Sequence, residues 1–198
     1  MANVLDGGFH PVNEGSARAT RYEVASSYGT AIARGDVMTV VTGGVAEVCT
    51  AGDADLIAGV CKEISYVSDG KRIFSTYIPA TTVYSPTSRG SRNATYVWIW
   101  DDPDTEYWVN VNTSHADSDT AAEVYALVGA NMDHVATAPD SVYKRSRFTL
   151  DGNSIEATAQ WRIKAVRRIP GNDLSLIGFQ VLVQVNEGFH PHYSAAGI

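Results

Sequence analysis

The side chains in this sequence best equipped for chemistry are a knot of carboxylates, five histidines and a set of indoles. Asp101, Asp102, Asp104 and Glu106 form the densest acidic cluster. Oxygen ligands at such spacing can hold Ca²⁺. The cluster lacks the glycine and the distant bidentate glutamate of an EF-hand loop, so it reads as a solvated hairpin turn. The histidines are His10, His115, His134, His190 and His192. His190 and His192 alternate, which places both on one face of an extended segment, as two metal ligands would be. No carboxylate is fixed beside them and no pair has the helical spacing of a zinc site, so they read as groups that hydrogen-bond or stack at a contact. Trp98, Trp100 and Trp108, with Tyr107, have the ring area of a sugar-stacking platform. Because they alternate with β-branched residues, a core or interface role is the expectation. Cys49 and Cys61 form no CxxC motif and read as small buried residues that stay reduced. Nucleophile-elbow, Walker and dinucleotide-binding patterns are missing. The expectation is a protein that is not an enzyme, with no catalytic residue, no metal and no cofactor.

The elements that would position these groups are strands. Val, Ile and Thr supply 49 residues and Leu only 7, a bias toward stiff β-branched side chains that pack well on a pleated surface. Short alternating runs separated by turn residues cover 21–84: Val37–Val41, Val45–Cys49, Leu56–Val60, Glu63–Val67 and Arg72–Ile78, with Asp69-Gly70 as a tight turn. Strands at this spacing without long helices predict a small barrel or sandwich, and 21–84 is read as a barrel-like lobe. Ser85–Asn93 is the candidate boundary. Residues 94–186 then form a second β lobe, a sandwich or jelly roll, opening with a hairpin of Thr95–Trp100 and Glu106–Val111. One short helix is expected within Ser118–Val128, and strands at Ser146–Leu150, Ala157–Val166 and Phe179–Val185, with Asp151-Gly152-Asn153 as a turn. The fold class is thus mainly β: small barrel or sandwich lobes with extended terminal arms and at most one or two short helices.

The formal net charge of −7 argues against a nucleic-acid partner, because a polyanion is held by basic surface. No apolar run approaches the length of a membrane span, and the opening Met-Ala-Asn-Val-Leu-Asp-Gly-Gly lacks the basic and apolar regions of a signal peptide.

Residues 1–20 and 187–198 read as polar arms that share a tetrapeptide, Gly8-Phe9-His10-Pro11 and Gly188-Phe189-His190-Pro191. A polar segment with a single aromatic cannot build its own core, but it can insert that ring into a neighbour. Phe9, His10, Pro11, Phe189, His190 and Pro191 are therefore the candidate intersubunit contacts. Deleting residues 1–15 is expected to leave the lobes folded and to weaken assembly.

In order along the chain, Gly8-Phe9-His10-Pro11-Val12, Arg21-Tyr22-Glu23-Val24, Ala33-Arg34-Gly35-Asp36-Val37, Ile57-Ala58-Gly59-Val60, Asp101-Asp102-Pro103, Gly129-Ala130-Asn131-Met132-Asp133, Trp161–Val166 and Val181–Asn186 resemble a family of tailed-bacteriophage virion proteins, the capsid decoration or cement proteins. The resemblance spans residues 8 to 186, while the second Gly-Phe-His-Pro departs from the family pattern. It implies a β-rich protein, made in the host bacterial cytoplasm, that binds the major capsid protein on the outer surface of the virion. By analogy it would do so as a homotrimer, with a dimer as the alternative. A tail, fibre or glycan-binding receptor component of the particle is the other reading.

Overall fold

The structure, a computed structural model, describes residues 7–25, 27–50, 56–81, 92–112 and 120–191. His115, His192, the turn at Ala51–Asp55 and most of the Ser85–Asn93 boundary lie outside the described residues. In chain order the strands are β1 (His10–Pro11), β2 (Thr20–Val24), β3 (Ile32–Ala33), β4 (Val37–Val41), β5 (Val45–Val48), β6 (Gly59–Ser68), β7 (Lys71–Ser75), β8 (Tyr77–Ile78), β9 (Tyr96–Trp100), β10 (Tyr107–Asn110), β11 (Asn131–Val135), β12 (Thr149–Ile155), β13 (Trp161–Val166) and β14 (Gln180–Val185). The helix α1 (Ala121–Ala126) precedes β11. Thr120 and Glu123 close it with a capping box: the Glu123 amide donates to Thr120 Oγ1, and the Thr120 amide donates to Glu123 Oε2 at 2.9 Å. The protein is mainly β with small barrels and one short helix, as its β-branched alternation predicts.

One sheet runs β4-β5-β2-β9-β6-β7, and pairing of β4 with β6 closes its first five strands into a barrel. Inside it Met38, Val40, Ala46, Cys61, Ile64, Val97 and Ile99 form a single core. The other sheet runs β1-β10-β14-β13-β11-β12. Its ends also meet: Val111 bridges Leu150 in parallel, and the Asn112 amide donates to the Leu150 carbonyl at 2.9 Å. The second lobe, expected as a sandwich or jelly roll, is therefore a second curved sheet closing on itself.

Two expectations about β pairing are corrected. The strands read as a hairpin, β9 and β10, do not pair. β9 lies between β2 and β6 in the first barrel, and β10 lies between β1 and β14 in the second sheet. Both hydrogen-bonding edges of β9 are taken, by β2 and β6, and both its faces are covered, with Val97 and Ile99 inside the barrel and Trp100 at its outer wall. Asp151-Gly152-Asn153, read as a turn, lies within β12, where pairing with β11 slips register between Met132 and His134. Two steps along β11, from Met132 to His134, face five along β12, from Ile155 to Leu150, so the irregularity takes up three extra residues of β12.

The same connectivity occurs twice. Taking β2, β4, β5, β6 and β9 in order, the first strand runs parallel to the third and antiparallel to the fifth, and the second lies between the third and fourth. β10, β11, β12, β13 and β14 repeat that pattern. The match extends to single bonds. Gly35, at φ 93°, donates its amide to Cys61 O at 2.9 Å, and Gly129, at φ 95°, donates to Ile163 O at 2.8 Å. The return bonds, Cys61 N to Asp36 O and Ile163 N to Ala130 O, are both 2.9 Å. The fourth strand bulges at the same place in each, between Cys61 and Glu63 and between Ile163 and Ala165. A left-handed residue followed three positions later by an inward methionine (Gly35-Asp36-Val37-Met38, Gly129-Ala130-Asn131-Met132) is a local trace of the repeat in the sequence.

The two barrels share a seam. Val37, Val60 and Trp100, on the outer wall of the first barrel, are fully buried and continuous with the core of the second, which includes Met132, Leu150, Ile163, Val181 and Val183. Their counterparts in the second barrel are Asn131, Arg162 and Gln184, none of them buried. Apolar area is therefore spent on the one face that meets the other barrel, and the equivalent face on the second barrel stays wetted.

Candidate functional site

The N-terminal segment laces the seam. The Gly8 amide donates to Phe148 O of the second barrel at 3.1 Å, and the next amide, Phe9, donates to Gly35 O of the first at 3.0 Å. The chain crosses at close quarters: a Cβ on Gly7 would fall 1.7 Å from Ser146 O, and one on Gly8, at φ 90°, would fall 2.6 Å from the Ser146 Cβ. Only glycine fits there. Phe9 then drops into the core with no exposed surface, stacked on Trp161 at 4.4 Å and edge-on to Tyr107 at 6.4 Å. Pro11 is buried and His10 is exposed, on a short strand paired with Trp108 and Tyr107.

The C-terminal copy of the tetrapeptide serves the same seam. Phe189 packs partly buried against the shared core, and its carbonyl accepts the Ile57 amide at 2.7 Å. His190 is buried and Pro191 is half-buried. Of the six residues singled out as intersubunit contacts, the structure places Phe9, Pro11 and His190 inside their own chain, which leaves His10 as the exposed one. Phe9 contributes a stacked core aromatic, so deleting residues 1–15 would remove part of the packed core as well as a terminal segment.

Asp36 sits at the same crossing, fully buried, its Oδ2 accepting the Ala33 amide at 2.7 Å while Oδ1 makes no hydrogen bond within the chain. Burial pushes its carboxyl up to about 7, against the pull of the Ser146 hydroxyl and the Ala33 amide.

Between the barrels lies an open cleft of about 620 Å³ whose lining includes His10, Trp108, Arg34, Lys144, Arg145 and Arg167, and no carboxylate. Arg167 lies 5.2 Å over the Trp108 ring and donates to Gln180 Oε1. Arg34 pairs with Glu14 and lies 5.4 Å over Trp100. In a chain of net charge −7, this is a concentration of positive potential.

Lys144 and Arg145 belong to a knuckle, residues 140–145, whose Asp140 and Tyr143 line a neighbouring recess. Asp140 Oδ1 accepts the Val142 and Tyr143 amides at 2.8 and 2.9 Å, and the Asp140 amide donates to Arg145 O at 2.8 Å. These bonds, the Tyr143 amide foremost, hold the Asp140 carboxyl below the ordinary carboxylate range. The turn so fixed holds two apolar side chains out in water: Val142 is 78% exposed and Tyr143 72%. Large apolar groups on a rigid turn are unusual on a free surface and common at contacts. Sequence reasoning missed this site. Its one signal is an Asx-turn aspartate after a proline, followed by Val142-Tyr143 in an otherwise polar stretch. Asp140→Ala should abolish the slow hydrogen exchange of the Val142 and Tyr143 amides while leaving the barrels' amides unchanged. In the wild type that protection, present above the unfolded carboxylate range, should persist as pH falls and vanish only below that range. Exchange equally slow in the variant would show that the carboxylate does not hold the turn.

The acidic cluster is divided among separate tasks. Asp101 is buried and accepts the Tyr22 hydroxyl at 2.9 Å, which with burial pushes that phenol up to about 12. Asp102 Oδ1 accepts the Asp104 amide at 3.0 Å, and Gln184 Nε2 donates to Asp104 Oδ1 at 3.3 Å. Asp102, Asp104 and Glu106 rim a recess of about 230 Å³ with Val12 and Ala17 among its lining residues. Among the described residues no three His, Cys, Asp or Glu side chains gather as a metal site, and no helix is long and apolar enough to cross a membrane. Cys49 and Cys61 are buried thiols that form no disulfide, and burial pushes the Cys61 thiol well up. Of the indoles, Trp100 is buried in the seam, Trp108 flanks the basic cleft, and Trp98 lies 5.8 Å from Phe74, itself 59% exposed. Comparison of the chain with family models, with curated proteins and with solved structures finds no match.

Proposed function

We propose that this protein is a structural component of a tailed-phage particle, binding the outer surface of the icosahedral capsid as an oligomer and stabilising contacts between major capsid protein subunits. The observation that carries the reading is the rigid knuckle, with Val142 and Tyr143 held in solvent beside a basic cleft. That surface suits contact with another protein. Two barrels fused through a common core and laced by the N-terminal segment make a stiff block, and a stiff block loses little conformational freedom when it is held at several points. The ordered motifs from residue 8 to 186 point the same way.

A second reading, a tail, fibre or glycan-binding receptor component, is favoured by the exposed Phe74 beside Trp98, since aromatic faces suit sugar rings. Quantitative mass spectrometry of purified particles separates the two. Copies in a simple symmetric ratio to the major capsid protein are the expected result. A few copies per particle would move the protein to the tail or a vertex, and absence from particles would end both readings.

A further inference from the structure

The knuckle and the acidic recess border the same cleft. Lys144, Arg145 and Val12 all line it, and Val12 also lines the recess. The two features are complementary in each respect that decides a contact. The knuckle offers an exposed phenol ring and an isopropyl group, and the recess offers room for one aromatic side chain with Val12 and Ala17 to meet it. The knuckle carries two cations in sequence with its apolar pair, and the recess is rimmed by three carboxylates. No ion pair among the described residues neutralises Lys144, Arg145, Asp104 or Glu106. Val12, at 41% exposure, is itself a solvent-facing apolar residue between the two.

We infer that two copies of this chain pair face to face about a two-fold axis, each inserting Tyr143 into the other's recess at Val12 and Ala17, with Lys144 and Arg145 against Asp104 and Glu106. Because knob and hole border one cleft, one rotation makes the contact twice, and the second insertion follows the first as an intramolecular step. A ring of three would require knob and hole on different faces. The Asp140 turn holds Tyr143 in place before contact, so little side-chain freedom is lost on insertion. The inference is independent of what the pair coats, and its test needs no particle.

Sedimentation velocity and light scattering of the purified full chain should give twice the chain's mass of 21.3 kDa. Raised salt should weaken the pair, because rim charges are screened. Tyr143→Ala should raise the dissociation constant by about tenfold or more. Lys144→Glu with Arg145→Glu should give a monomer by repulsion, and so should Asp104→Lys with Glu106→Lys. The chain carrying all four substitutions should pair again, since both partners of each charge contact are reversed. Asp102 is left alone because its carboxylate caps the turn. All these positions are on the surface, and circular dichroism confirms the fold of each variant. A monomeric wild type would overturn the inference. So would a trimer, or an assembly that neither charge reversal nor Tyr143→Ala weakens.

Discussion

Phe9→Ala should cost the protein about 3–5 kcal/mol, the range for removing a fully buried aromatic side chain. The ring has no exposed surface and stacks on Trp161, so its loss leaves a void lined by the largest side chains of the second barrel. It also loosens the one segment whose consecutive amides bond to both barrels, through Phe148 and Gly35. For a chain of this size the thermal midpoint should fall by about 10 °C or more. Deleting residues 7–11 should do at least as much and should expose apolar seam surface from both sides. Calorimetry of the purified variant checks this. A midpoint close to wild type would mean that Phe9 does not stack on Trp161 in solution, and the N-terminus would revert to a free arm.

Asp36 should make stability fall as pH rises toward neutrality, the opposite of what a salt-bridged carboxylate does. Its folded value, pushed up to about 7, lies above the ordinary 3.8. Between those values the native chain keeps a proton that the unfolded chain has released. The stabilisation is fully present below about 3.8 and is lost as pH rises through about 7. A separation of that size corresponds to roughly 4 kcal/mol across the window. Asp36→Asn retains an acceptor for the Ala33 amide and removes the charge. The variant should therefore show a flatter stability profile and exceed the wild type at pH 8. Urea titrations at a series of pH values decide the matter. A variant that is less stable than wild type at pH 8 would show that the ionised carboxylate is held favourably at the crossing.

The strands were legible and their partners were not. Alternation along Val37–Val41, Val45–Cys49 and Val181–Val185 announces a strand and says which side chains share a face. It carries no information about which strand lies alongside. Local reasoning therefore joined β9 to β10 across a turn-rich connection, whereas the chain there passes from one barrel to the other. β11 escaped notice because its inward positions include His134, buried and accepting the Trp161 indole N–H at 3.4 Å, so its alternation looks polar on both faces. The internal repeat was hidden for a related reason. Equivalent positions preserve geometry while exchanging chemistry: Thr20 stands where Tyr107 stands, Arg21 where Trp108 does, and Val60 where Arg162 does. A register can be shared by side chains with nothing else in common, because the ladder is made by the backbone.

Site residues divide in the same way. The two Gly-Phe-His-Pro segments stand out in the sequence, yet both rings turn inward to the seam, and in the first the glycines allow a close crossing. The knuckle was missed because a two-residue apolar excursion in a loop has no period to detect. Only exposure, measured in three dimensions, separates Val142 and Tyr143 from the many loop residues that tuck under.

The lacing of the seam also sets an order of events during synthesis. Phe9 leaves the ribosome well before Trp161, on which it stacks. The 151 residues between them take roughly 8–30 s to make at ordinary elongation rates. Throughout that interval Val37, Val60 and Trp100 have no second barrel to cover them, so the nascent first barrel presents a bare apolar wall. The chain reaches its native state only by a late closure of Phe9 onto the second barrel. Whatever shields that wall in the meantime, a chaperone or dilution alone, governs the yield of folded protein.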